Sequence, residues 1–153
     1  MTDCMERHNN DIAGAADEDL AFLSRFENCQ LPESEWTHLA HIRVAWICLS
    51  EDTPGNALRR ICSGILRYNT EVLQRPHKYH ETVTVAFAQI VANRMVPREP
   101  WREFSARIDD ILNPADPVLL QYYSEKRLFS KEARQQYVTP DKEPLPEFAA
   151  AND

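Results

Sequence analysis

Glycine is scarce in this chain, with three residues in 153. Tight hairpin turns draw on glycine because it enters the left-handed region without steric cost. So few of them argue against a many-stranded sandwich or barrel. Long apolar runs are missing too. No stretch reaches the roughly 18 apolar residues of a transmembrane helix. The start of the chain carries Asp3 and Glu6 and no apolar block, so it does not read as a secretory signal. Basic clusters are absent: 17 Lys and Arg against 24 Asp and Glu leave a formal net charge of −7. Without a basic stripe the chain has little with which to neutralise phosphates. The expected partner is a small molecule, with no nucleic acid and no membrane; the oligomeric state is not legible. The G-x-S-x-G, G-x-G-x-x-G and P-loop signatures do not occur.

Cysteine is present but in no C-x-x-C pair: the four stand at positions 4, 29, 48 and 62. That spacing disfavours a thiolate zinc site. They read as reduced thiols of a cytoplasmic protein, with Cys48 and Cys62 as small core residues. Cys48 is two helical turns from His41, too far for a Cys–His dyad.

What is present is helical periodicity. Hydrophobic residues at 43% and charged residues at 27% fit one globular domain. Residues 1–16 are polar and aperiodic, the pattern of a disordered tail. Leu20, Phe22, Leu23 and Phe26 predict a helix over 17–27, with Asp17 and Asp19 in its first turn. Pro32, Glu33 and Glu35 predict the start of a second helix. Along it Leu39, Ile42, Trp46 and Leu49 recur at helical spacing, and Arg43 alone interrupts an otherwise apolar surface. Thr53-Pro54-Gly55-Asn56 predicts its end. Further helices are expected over 57–73, 79–95 and Trp101 to Leu112, with one starting at Val118 and a last from Ser130 to Tyr137. Pro140 onward reads as an extended tail. The expected architecture is an all-α, single-domain bundle of about five or six helices, its metal site within 17–139.

The chemistry lies in two histidine pairs. His38 and His41 stand at i and i+3 on a nearly all-apolar helix, a spacing that brings two imidazoles to one point. A buried imidazole needs a partner for its N–H and another for its bare nitrogen, and a metal supplies the second for both rings. His77 and His80 repeat the spacing, but Pro76 puts His77 at or before the helix start, which leaves His80 as the expected third ligand. Glu81, next to His80, is the expected catalytic residue: a general base, a ligand, or the acceptor that orients an imidazole. Asn69, Tyr68 and Tyr79 are the expected substrate-binding residues.

The segment W-T-H-L-A-H at 36–41, R-Y-N at 67–69 and Y-H-E-T at 79–82 resembles a family of small bacterial helical proteins. The later Tyr122-Tyr123-Ser124, Leu128-Phe129-Ser130, Ala133-Arg134 and Pro140–Pro146 continue the resemblance, which covers residues 20–146. It implies that these motifs form one functional unit and transfers no reaction. In size and three-histidine chemistry the chain is also similar, by analogy, to helical-bundle metalloenzymes of the DinB type.

The expected function is that of a small metal-dependent enzyme. His38, His41 and His80 hold one divalent transition metal (zinc, iron or copper), with a position open to water or a small-molecule substrate. Addition, elimination or hydrolysis ranks ahead of oxygen chemistry at iron or copper, because neutral imidazoles leave the ion its full charge. The alternative from another class is a non-catalytic helical module that binds a ligand or partner, its histidines satisfied by hydrogen bonds.

Overall fold

Four segments with enough apolar residues to cover a face become the long helices: α1 (Asp17–Glu27), α2 (His38–Glu51), α3 (Pro54–Glu71) and α4 (Glu81–Arg94). Four helices of four or five residues follow: α5 (Trp101–Ser105), α6 (Asp109–Leu112), α7 (Glu125–Leu128) and α8 (Lys131–Gln135). The computed structural model describes residues 15–147, and among them there is no strand. The protein is an all-α bundle in one domain. No helix among the described residues is long and apolar enough to cross a membrane. The tail expected over 1–16 lies, but for its last two residues, outside the described residues, as does Cys4.

The helix starts differ from the sequence reading for local reasons. Pro32 and the acids after it open a 3-10 turn at Glu33–Glu35, and α2 begins five residues later. Thr37 sets that start, its hydroxyl accepting from the Ala40 N–H at 3.2 Å. Pro54 opens α3 instead of ending α2, since proline at the first helical position gives up no hydrogen bond. Asp52 and Thr53 alone join the two helices, so α2 and α3 lie antiparallel. The helix expected from Trp101 to Leu112 is broken, and the turn lets Phe104, Ile108 and Ile111 all reach the core. The last helix stops at Gln135, because Thr82 claims the next backbone groups. Its Oγ1 donates to the Gln136 carbonyl at 3.0 Å and accepts from the Val138 N–H at 3.1 Å.

The core runs along α2, α3 and α4, with Val44, Trp46, Ile47, Ile61, Tyr68, Ala86 and Val91 buried. Leu39, expected in the packing stripe of α2, is instead 40% exposed, one residue into the helix and facing away from the core. Arg43, the interruption in that helix, reaches Asp19 at 2.7 Å and lies over the Phe22 ring. Asp19 is buried and also accepts from the Ala16 N–H, so one carboxylate starts α1 and fastens it to α2. On the other side Arg60 takes both oxygens of Glu27 at 2.7 Å and reaches Asp52 at 3.1 Å. Gly64 lets α1 and α3 close up: a Cβ there would lie 2.9 Å from the Phe26 ring.

Candidate functional site

The first half of α2, the middle of α3 and the first half of α4 border a half-open cavity of about 360 Å³. Its walls are Ile42 and Ala45 from α2, Ile61 and Ile65 from α3, and Val83, Phe87 and Ala88 from α4. Polar lining comes from His38, His41 and Thr84, and no Asp, Glu, Lys or Arg takes part. The expected i, i+3 pair is thus brought to one cavity.

His41 is the more constrained of the two. It is half-buried, and its Nδ1 lies 2.8 Å from the Thr37 carbonyl oxygen one turn back. A carbonyl can only accept, so Nδ1 carries the hydrogen and Nε2 is left as a bare acceptor. Burial drives the His41 pKa down to about 4, so the ring is neutral at pH 7. Trp36 fixes its plane, with ring centroids 3.8 Å apart and an 18°-to-47° fan of Phe26 and Tyr68 behind it. His38, at the exposed start of α2, meets the edge of Phe87 at 5.2 Å. The protein packed against its ring lowers its pKa as well.

His80 has a different placement. It is the N-cap of α4, where Nδ1 accepts from the Val83 N–H at 3.2 Å. Nε2 must then carry the hydrogen, and it donates to the Leu128 carbonyl at 2.8 Å. Both ring nitrogens are engaged, and the ring does not line the cavity that His38 and His41 share. Among the described residues no group of three His, Cys, Asp or Glu side chains stands where one metal ion would be held. His77 sits in the 3-10 turn Pro76–Lys78 ahead of α4, as Pro76 suggested.

None of the other candidates lines the cavity. Glu81 opens α4 and accepts from the Tyr79 hydroxyl at 2.6 Å. Cys62 lies against both, and burial pushes its thiol up to about 11. The Cys48 thiol is likewise raised by burial, to about 12, so both stay protonated at neutral pH. Tyr68 is fully buried, its hydroxyl donating to the Leu31 carbonyl at 2.7 Å, and it supports Trp36 from behind. Asn69 is buried near the end of α3.

Ile61, Ile65 and Phe87, legible from the sequence only as packing residues, line the cavity, as does Thr84. They come from two helices, α3 and α4, and only the packing brings them together beside α2. A signal did exist for Thr37, since a threonine just ahead of an apolar run marks a helix N-cap. Comparison of the chain with protein-family models, with curated proteins and with solved structures found no match.

Proposed function

We propose that the α2–α3–α4 cavity binds a small, mainly apolar molecule and that His38 and His41 meet its polar end. The observation that carries this reading is the cavity itself: about 360 Å³ of apolar wall relieved at one end by two imidazoles. Small-molecule sites have this composition, an apolar enclosure with a few placed polar groups.

A second reading keeps the metal-dependent enzyme. The Nδ1–H bond of His41 to the Thr37 carbonyl favours it, because metal-ligating imidazoles are oriented by such a bond. In this reading His38 and His41 hold one zinc, iron or copper ion, which would supply Lewis-acid or oxygen chemistry to the cavity's occupant. Glu81 at the start of α4, Tyr79 just ahead of it and Asn69 near the end of α3 are then the reserve of proton-handling and positioning groups. His80 joins the ligand set only by releasing Val83 and Leu128.

One preparation tests both. Untagged protein saturated with toluene should melt at a higher temperature, and Val83→Phe, which fills the cavity, should abolish that rise. No change in wild type would overturn the cavity reading. Elemental analysis of the same protein after incubation with each metal should give about one equivalent, lost in His41→Ala, if the second reading holds; well under about 0.2 equivalents would sink it.

A further inference from the structure

The polar groups of the cavity have a common sign. Nδ1–H of His41 is spent on Thr37, which leaves Nε2 facing its surroundings as an acceptor with no protein partner. Thr84 is spent in the same way: its Oγ1 donates to the His80 carbonyl at 2.9 Å, so its hydroxyl oxygen is left with lone pairs to offer. Both fixed polar groups of the lining therefore accept, and neither donates. His38 is free to do either.

Charge is excluded for a separate reason. No ionised side chain lines the cavity. A carboxylate, phosphate or ammonium drawn into it would lose part of its hydration with no counter-charge in return. At about 360 Å³ the cavity also stands at the small end of ligand pockets.

Resting on the reading of the cavity as a small-molecule site, we infer that its occupant is an uncharged molecule with an apolar body and one hydrogen-bond donor directed at Nε2 of His41: a phenol or a comparable alcohol. The stack on Trp36 holds the imidazole in place before the ligand arrives, so the bond needs no rearrangement of the ring. The low pKa of His41 is consistent with this, because a ring that stays neutral at pH 7 stays an acceptor.

Three probes of nearly equal shape separate the possibilities: para-propylphenol, its methyl ether and para-propylbenzoate. Each is titrated into the full chain at neutral pH with a chelator present, by calorimetry and by tryptophan fluorescence, for which Trp36 is the reporter against His41. The phenol should bind about tenfold or more tightly than the ether, the worth of one net hydrogen bond. The benzoate should bind weakest. His41→Phe keeps a ring on Trp36 but has no nitrogen, so phenol and ether should converge. Thr84→Val, which keeps the shape of the wall, should narrow the gap in smaller measure and serves if His41→Phe fails to fold. Equal binding of phenol and ether to wild type, or tightest binding of the benzoate, overturns the donor inference and leaves the cavity reading standing. No binding by any of the three overturns both.

Discussion

His41 and His80 invite comparison. Each stands at the start of a long helix, each gives one N–H to a main-chain carbonyl, and burial holds each below the ordinary imidazole pKa. They part at the second nitrogen. In His80 it caps α4; in His41 it has no protein partner and borders a cavity. The same side chain is a structural pin in one place and an open acceptor in the other. What separates them is the supply of backbone donors: an N-cap position offers a free N–H to the ring, whereas His41 lies inside α2, where the helix has already used its own.

The largest effect that sharpens this contrast is on stability. His80→Ala removes the acceptor for the Val83 N–H and orphans the Leu128 carbonyl. A loss of about 2–3 kcal/mol is expected, or roughly 5–10 °C in melting temperature by calorimetry. His80→Asn should recover the capping part, since asparagine is a good N-cap. Neither change should alter the affinity of the phenol probe, whereas His41→Ala should lower it. Loss of phenol binding in a folded His80→Asn protein would erase the distinction between the two histidines.

Acid comes next. The folded pKa values of His41 and His80 lie below the unfolded value near 6.5, so the unfolded chain binds protons first. Their contribution to stability is complete above about pH 6.5 and is lost as the pH falls, toward about 4 for His41. Melting temperature should drop by several degrees between neutral pH and pH 5, and less in His41→Phe. A wild-type curve flat over that range would show that burial does not hold these rings neutral.

The smallest effect concerns Glu81. Gln in its place turns a charge-assisted bond from Tyr79 into an ordinary one, at a cost of about 0.5–1.5 kcal/mol. Burial is the main cause of the raised Cys62 pKa, and the Glu81 charge adds to it. Alkylation of Cys62 at mildly alkaline pH should therefore be somewhat faster in Glu81→Gln. An unchanged rate would detach Glu81 from that thiol.

The helical class of the fold was legible because Leu23 and Phe26, or Ile61, Ile65 and Tyr68, repeat at intervals that only a helix brings to one face. Ser130 was legible as an N-cap, and its hydroxyl accepts from the Ala133 N–H at 3.1 Å. The pairing of His38 with His41 could be read for the same reason: three residues apart on one helix is local geometry. The placement of His80 was not legible. Its partner Leu128 lies 48 residues away, and spacing carries no information about contacts formed by packing. The start of α2 was missed because Pro32 and the acids after it favour any helical first turn, 3-10 included, and Thr37 then competes successfully for the longer helix.

The clasp at Thr82 has a consequence for the order of folding. α2 and α3 meet through a two-residue link, so their contacts close a short loop and form early. The bonds from Thr82 to Gln136 and Val138 bridge 54 and 56 residues and must wait for a far larger loop to close. Val83 and Thr84, which wall the cavity, adjoin that clasp. Native-state hydrogen exchange is expected to show the segment from Ser124 to Leu145 opening at lower free energy than α2 and α3. A nascent chain would then acquire its two aligned imidazoles well before it acquires the lip of the cavity they serve.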